Sequence, residues 1–296
     1  MKKKKLSGET IFQIVDVIVM CLFMVLVIVP VFTVVMTSFV SEAEIARRGT
    51  FIIIPEKFDF SAYKMLLASG KNIARAYGNT LFRVVIGTVL NLVFTITLSY
   101  GLSREGLKGR TFLTGFVFFT MLFSGGMIPT FILVKGVGLI DSRWAMVLPC
   151  LINTWNLLIM RNFFYGIPKS LEEAAVIDGA NDAQVLVKIV LPLSKASIAT
   201  IGLFYAVSHW NAWFDAMLYI NTTALLPMQN ILRNIITAAS SIGDLGAEAY
   251  NSLDVVPPSQ AIRAATIVIT TLPILVAYPF VQKYFVKGVM VGSVKG

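Results

Sequence analysis

The sequence predicts an all-α integral membrane protein built as a bundle of six transmembrane helices. The chain of 296 residues is 56% hydrophobic and only 14% charged, which is too little charge to cover a soluble domain of this length. Its apolar residues are gathered into runs of about 20, the length that crosses a hydrocarbon core about 30 Å thick. Lysines and arginines flank these runs, as they do at the cytoplasmic ends of membrane helices.

The apolar runs and the basic residues beside them define the predicted segments. The six predicted spans cover residues 11–39, 79–102, 111–134, 144–163, 196–220 and 264–285. The other segments are a cytoplasmic basic N-terminus at 1–10, an outside loop at 40–78, a cytoplasmic loop at 166–195, a second outside loop at 221–262 and a cytoplasmic tail at 286–296, so that the core domain of spans two to six is 79–285. Span one is too long for the apolar region of a signal peptide. Gly125, Gly126 and Pro129 predict a kink or break in span three.

Charge and rare residues exclude several kinds of site. The net charge is +9, but the basic residues flank apolar spans and form no stripe on a polar domain, so nucleic-acid binding is not expected. Cys21 and Cys150 lie in apolar runs and are predicted to be buried packing residues. His209 is the only histidine, so we expect neither a metal site nor a catalytic triad.

The loop at 166–195 carries signals for helix ends. Ser170 and Glu173 fit a capping box at the start of a first helix, and Gly179 suits its end. Asn181 or Asp182 is placed to cap a second helix. The loop is therefore predicted to form two short helices joined at a glycine.

Two interpretations of this loop are open on its chemistry. An amphipathic helix that lies on lipid usually presents lysine and arginine to anionic headgroups. Here the first helix is acidic, through Glu172, Glu173 and Asp178. Its Ala174 and Ala175 are small enough for close contact with another protein. The composition therefore favours docking into a protein groove.

The spacing of the loop resembles the full EAA motif of permeases of ABC importers. The pattern is present as Glu173-Ala174-Ala175, three residues, Gly179, nine residues, Ile189, one residue and Leu191-Pro192. The resemblance implies a type I importer permease whose coupling helix, between spans four and five, sits in a cleft of a nucleotide-binding subunit and moves with it. It implies ATPase-docking roles for Glu172, Glu173, Ala174, Ala175, Asp178, Gly179, Ile189, Leu191 and Pro192, the last three packing the second helix under the bundle.

Matches outside the loop resemble the carbohydrate branch of these permeases. They lie at 124–129 in span three, at Trp210-Asn211 in span five and at 284–288 and 294–296 in the tail. They are most similar to the maltose-type second permease and to lipoprotein-associated, complex-saccharide permeases of Gram-positive bacteria. Permeases for peptides, phosphate or amino acids share the EAA pattern and stay as alternatives. An ion-coupled carrier or a membrane enzyme is disfavoured, because charges near mid-span are nearly absent and we find no catalytic pair at a useful spacing.

The resemblance also implies partners and a location. The sequence has no G-x-x-x-x-G-K-[ST] phosphate loop, so the chain is expected to be a transporter subunit and not an enzyme, without a cofactor of its own. ATP and Mg²⁺ are assigned to a partner ATPase. The implied assembly contains a paralogous second permease, two ATPase subunits and an extracellular sugar-binding lipoprotein, in a bacterial cell membrane with both termini of this chain cytoplasmic.

A saccharide needs amides, hydroxyls and aromatic rings along its path. Candidate residues for this substrate pathway are Asn153, Asn156, His209, Trp210, Asn211 and Asp215. In spans four and five such polar groups are costly unless they face water or a partner. The alternative is that the asparagines bond to neighbouring helices and that Trp210 anchors at an interface. Asp215 is expected near the outer end of span five or paired with a basic group.

Overall fold

The computed structural model describes residues 8–49, 51–68, 70–244 and 260–293, and within these ranges all regular secondary structure is helical. The α-helices are α1 (Gly8–Thr37), α2 (Glu42–Arg48), α3 (Ser61–Ala68), α4 (Gly70–Ser103), α5 (Arg110–Leu122), α6 (Met127–Gly136), α7 (Thr154–Tyr165), α8 (Lys169–Ile177), α9 (Asp182–Val185), α10 (Leu191–Leu193), α11 (Lys195–Asn211), α12 (Phe214–Tyr219), α13 (Met228–Asp244) and α14 (Gln260–Ser293). Parts of the predicted N-terminus, of the second outside loop and of the tail lie outside the described residues, at 1–7, 245–259 and 294–296.

Two of the described helices are long and apolar enough to cross a membrane by themselves. They are α1 and the Lys71–Ser103 part of α4, and the number rises to four if each of two bent helix pairs is one span. One bent pair is α5 with α6, which turn by 112° at Gly126, a residue with φ of 87°. The predicted break in span three is therefore present, at a glycine whose backbone angle other residues rarely adopt.

The chain divides into two compact units, Met1–Gly70 with Asn234–Leu272 and Lys71–Arg233 with Pro273–Gly296. In the first unit, the Phe39 ring packs against the rings of Phe58, Phe60 and Tyr63. The first predicted outside loop thus contains two helices, α2 and α3. The second predicted outside loop likewise contains a helix, α13.

The second unit has an apolar core between α4, α7, the loop and α11. Its buried residues are Tyr100, Met160, Phe164, Val185, Val190, Ile201 and Tyr205. This core joins the 166–195 loop to three helices, since Val185 and Val190 belong to that loop. Within the loop, α9 continues through a π-helical turn, Leu186–Val190, into α10.

Predicted span four is not one continuous helix. Residues Arg143–Met146 and Leu148–Cys150 form short 3₁₀ turns, and the α-helix begins only at Thr154. Pro149 explains the interruption, because its nitrogen donates no hydrogen bond. The side-chain amide of Asn91 donates to the carbonyls of Cys150 and Leu151, at 2.6 and 3.1 Å. These bonds satisfy backbone acceptors just before α7, as other helices do for broken helices in membrane bundles.

The prediction of two buried cysteines is wrong for this chain. Cys21 and Cys150 are both exposed as free thiols. Cys21 lies on α1, whose most apolar 18-residue window is only 6% buried. Cys150, in contrast, lines a cavity of this chain that is described below.

Candidate functional site

The 166–195 loop folds as two short helices joined at a glycine. Helix α8 ends at Ile177, and Gly179 reverses the chain with φ of 83°. Asn181 caps α9 through a complete capping box with Gln184, in which each side chain accepts the other residue's backbone N–H at 2.9 and 3.0 Å. Of the two predicted caps, Asn181 is the one used.

The predicted capping box at Ser170 is wrong. Pro168 occupies the N-cap position of α8 and makes no side-chain cap, so Ser170 already lies inside the helix. The φ of −58° at Pro168 is fixed by its ring and suits the start of a helix without a capping side chain.

Helix α8 has an inner and an outer face. Ala175 on the inner face packs against the apolar core. Glu173, Ala174 and Asp178 are exposed, and beside them Ile177 is 86% exposed. An exposed mixture of acidic and large apolar side chains is typical of a surface that another protein covers.

The remaining loop residues divide by burial. Ile189 and Leu191 are partly buried, whereas Pro192 is exposed. Glu172 is turned toward its own chain, where it forms an ion pair with Arg104. The structure therefore separates the predicted docking residues into an exposed set and a set held inside this subunit.

Helix α8 is also linked to the loop that follows α4. The Lys169 ammonium lies 2.5 Å from the Glu105 carboxylate. This hydrogen bond lowers the pKa of Glu105 and raises the pKa of Lys169, so both groups stay charged at neutral pH. The two ion pairs border an open groove of about 1080 Å³, here called the loop groove.

A second cavity, here called the polar cavity, has a volume of about 930 Å³. Its lining includes five of the six predicted substrate-pathway residues, Asn153, Asn156, His209, Asn211 and Asp215. Trp210 is not among the lining residues and is buried. Trp155 and Trp213 add aromatic surface to the wall. The structure thus brings amide, imidazole, carboxylate and indole groups together around one space.

A buried arginine organises the wall of the polar cavity. Arg83 of α4 forms a bidentate ion pair with Asp215, with Nη1 at 3.0 Å from Oδ1 and Nη2 bonded to Oδ2. Arg83 is 2% exposed and the Asp215 side chain 17%. The Nη1 atom of Arg83 also donates to the carbonyl of Ala212, at 3.2 Å, just after the end of α11. The expectation that Asp215 pairs with a basic group is confirmed.

The hydrogen bonds around His209 run in one direction. Arg83 has only donors, so its Nε donates to His209 Nδ1 at 3.4 Å. Nε2 then carries the proton and donates to Asn91 Oδ1 at 2.9 Å, while the Asn91 amide donates to two backbone carbonyls. This arrangement fits a neutral imidazole, because a charged one would place an N–H against the arginine.

Two asparagines of the cavity differ from their expected roles. Asn153 is the N-cap of α7 and accepts the backbone N–H of Asn156 at 3.1 Å. Asn153 therefore lies just before α7, whose first residue is Thr154, and Asn156 lies within it. The backbone N–H of Asn153 donates to the Tyr205 hydroxyl at 3.1 Å, so the cap also anchors α7 to α11.

Arg83, Asn91 and Tyr205 were missed from the sequence. Arg83 gave a signal, because a lone arginine inside an apolar run requires a partner and Asp215 was an acid in the same situation. Asn91 and Tyr205 resemble ordinary polar residues of a bundle, and only the fold shows what they contact.

Relatives with known descriptions resemble the chain over nearly its full length. No family model matches it. Protein LplC of Bacillus subtilis (strain 168) is 47% identical over 269 residues, covering 91% of this chain and 90% of that protein. The polygalacturonan/rhamnogalacturonan transport system permease protein YtcP of the same strain is 46% identical over 276 residues, covering 93% and 95%. A solved bacterial ABC transporter involved in the import of the acidic polysaccharide alginate contains a chain with a TM-score of 0.83 and 34% identity, covering 96% of this chain and 100% of that one.

An all-helical membrane chain with this likeness is a permease subunit of an ABC importer. It is an integral protein of the cell membrane, is not itself an enzyme, and requires ATPase subunits, a second permease and a substrate-binding protein. More specifically, the chain belongs to the family of carbohydrate permeases of ABC importers, which sets the other importer branches aside.

Proposed function

We propose that this subunit forms half of the translocation pathway of an ATP-driven oligosaccharide importer, and that α8 with the Gly179 turn docks into a separate ATPase. The exposed acidic and apolar face of α8, with Ile177 86% exposed, carries this proposal. Opening to either side follows alternating access, in which a loaded binding protein and ATP together favour the outward-open state. ATP and Mg²⁺ are held by the ATPase.

Six spans with both termini in the cytoplasm are part of this proposal. Helices α1 and α4 each supply one crossing, as do the bent pair of α5 and α6 and the segment that ends in α7. Helix α11 with α12 supplies the fifth, and α14 the sixth. The basic loop that contains Arg104 and Lys108 supports a cytoplasmic position for itself and, by parity, for the loop with α8. Segments 40–78 and 221–262 then face a sugar-binding lipoprotein, and the second permease is a paralogue.

The proposed docking surface consists of Glu173, Ala174, Ile177, Asp178 and Gly179. Ala174 is exposed and allows close approach of the partner. Gly179 provides the reversal that presents the end of α8, since φ of 83° strains other residues. Asp178 is placed to meet a basic group of the ATPase. The partly buried Ala175, Ile189 and Leu191 fasten the loop to this subunit.

Substitution of Ala174 by Trp tests the docking surface. The indole would clash with an ATPase seated on α8, so Ala174→Trp should reduce the amount of ATPase that co-purifies with the permease from membranes. Ala68→Trp is the matched control, because Ala68 is likewise an exposed helical alanine and is assigned to the other side of the membrane. Equal ATPase recovery with both variants would contradict the proposed surface.

The polar cavity supports a saccharide as the cargo. Its amides and indole rings match hydroxyl groups and sugar ring faces, and the charges of Arg83 and Asp215 compensate each other within the wall. Two of the relatives described above are named for polygalacturonan/rhamnogalacturonan transport and for the import of alginate. Oligosaccharides from these polymers are therefore the first cargoes to test.

The free thiol of Cys150 makes the cavity testable, because it is exposed and lines the wall. In the complete reconstituted importer with Cys21→Ser, a small thiol reagent should label Cys150. A transported oligosaccharide, supplied with its binding protein and ATP, should slow that labelling. Labelling at an unchanged rate during active uptake would show that the cargo takes another path.

A further inference from the structure

The loop groove separates the end of α4 from α8, and charged side chains bridge it. Its lining includes Tyr100 and Arg104 on one side and Lys169, Glu172 and Glu173 on the other. Because open space lies between the two elements, their connection here depends on long side chains. Ala175, on the inner face of α8, packs against the apolar core.

Arg104 is held from several directions. It pairs with Glu172, and the two side chains are only 26% and 16% exposed. Its guanidinium lies 4.2 Å from the centre of the Tyr100 ring and donates to the Tyr100 hydroxyl. That hydroxyl in turn donates to the carbonyl of Asp182 at 3.2 Å. A partly buried, preorganised pair of this kind contributes more than an exposed one.

The second ion pair has the opposite polarity and is weaker. Glu105 supplies the anion on the α4 side and Lys169 the cation on α8, and their side chains are 51% and 60% exposed. Exposed pairs contribute little to stability. Together, however, the two ion pairs favour one position of α8. A shift of α8 along the groove would bring Lys169 toward Arg104, or Glu172 toward Glu105, and like charges would then repel.

Helix α4 runs without interruption from this cluster to the polar cavity. Arg83 and Ser103 belong to the same α-helix, which at 1.5 Å per residue spans about 30 Å between them. Arg83 holds the Asp215 carboxylate in the cavity wall. Helix α4 therefore connects Arg104, which directly follows its last residue and contacts α8, with Arg83 in the cavity wall.

We propose that Arg104, oriented by Tyr100, is a positioning residue that fastens α8 to α4, so that movement of α8 reaches the polar cavity through α4. This inference rests on the proposed docking of α8 to the ATPase. It assigns Glu172 a role inside the subunit and not at the ATPase surface. The apolar contacts of α8 then support the loop, while the Arg104–Glu172 pair sets its direction.

Charge reversal tests the inference in the complete importer, reconstituted in proteoliposomes. The measured quantity is the amount of oligosaccharide imported per ATP hydrolysed. Arg104→Glu should lower this ratio severalfold, while the ATPase still co-purifies. Lys108→Glu is the control, because it makes the same charge change in the same loop at an exposed residue, and it should leave the ratio unchanged.

The double variant Arg104→Glu/Glu172→Arg should recover most of the ratio, which a general folding defect would not do. Tyr100→Phe supplies a milder variant that keeps the ring and removes the hydroxyl, and it should lower the ratio without loss of protein. Normal ratios in Arg104→Glu and Tyr100→Phe, or no recovery in the double variant, would overturn the inference. If Ala174→Trp still loses the ATPase in that case, the docking proposal stands and only this inference fails.

Discussion

At the scale of single residues, the Arg83–Asp215 ion pair holds the wall of the polar cavity together. Charged groups inside a membrane bundle are tolerated when they are paired, and this pair is almost closed to solvent. It fixes α4 against the break between α11 and α12, and it orients His209 and Asn91. The charges therefore organise the wall, and in the proposed pathway the cargo would contact the amides and rings beside them.

Removal of one charge should destabilise the protein strongly. Arg83→Met leaves Asp215 without its partner, which typically costs about 3–5 kcal/mol for a buried pair. Thermal unfolding of the purified importer should show a clear loss of stability. The double variant Arg83→Met/Asp215→Leu should recover most of it, because it removes both charges, and a double variant as unstable as the single one would contradict this role.

Gly87 permits the close approach of His209 to α4. A Cβ atom at this position would lie 2.5 Å from His209 Nε2 and 2.8 Å from Cε1, and the ring cannot turn away because both nitrogens are bonded. Gly87→Ala should cost about 1–3 kcal/mol through overpacking. Gly78→Ala, also in α4 but with open space around its Cβ, should not destabilise. The two variants are compared by thermal unfolding, and equal melting temperatures would refute the steric argument.

The hydrogen bonds of Asp141 predict that the stability of the protein depends on pH. Its carboxylate accepts the Thr222 hydroxyl and the N–H groups of Thr222 and Asn221, at 2.6, 2.8 and 2.9 Å, and these bonds lower its pKa. A depressed pKa stabilises the fold above the unfolded value of about 3.9, and the contribution disappears as the pH falls through the folded value. The melting temperature of Asp141→Asn should therefore lie below that of the wild type at neutral pH. The difference should close under acid conditions, and a difference independent of pH would exclude the carboxylate as its source.

At the scale of elements, α7 depends on its cap. Asn153 is the N-cap after a stretch of 3₁₀ turns, and its side chain satisfies the Asn156 N–H. Asn153→Ala should cost about 1 kcal/mol, whereas Asn153→Asp keeps the accepting oxygen and should cost less. Thermal unfolding of both variants distinguishes the cap from a role of the amide in cargo transport alone, since a pure transport role would leave both melting temperatures unchanged.

The sequence correctly predicted several helix ends that depend on a single nearby residue. The break at Gly126 and the turn at Gly179 follow from glycine itself, and the Asn181 cap follows from its own side chain. The 3₁₀ turns before α7 were missed because Asn91, on another helix, satisfies the backbone carbonyls just before α7. Helices α2, α3 and α13 were missed because their segments are polar and resemble loops.

In the candidate site, too, local features were predicted and tertiary ones were not. Residue chemistry selected five residues that line one cavity, and motif spacing predicted a helix that ends just before Gly179. Glu172 points inward and Ala174 outward because of the way α8 packs against its own subunit. Pro168 and the apolar core determine that packing. Such orientations are tertiary and leave no pattern along the chain.

At the scale of the whole molecule, the subunit presents much apolar surface to its surroundings. The most apolar window of α1 is 6% buried and that of α4 only 22%. Lipid and a second permease would cover these helices, as they do in a bundle that lines half a pathway. The exposed face of α8 is assigned to the ATPase in the proposed assembly.

In the proposed assembly, the α8 turn converts ATP hydrolysis on another subunit into access to the polar cavity. Gly179→Pro tests this role against Gly138→Pro. Both glycines have positive φ, 83° and 73°, and donate a backbone hydrogen bond of 3.0 Å, so proline disturbs both turns alike. In proteoliposomes, oligosaccharide imported per ATP hydrolysed should collapse for Gly179→Pro and stay near the wild-type value for Gly138→Pro. A wild-type ratio for Gly179→Pro would contradict the coupling role of the α8 turn.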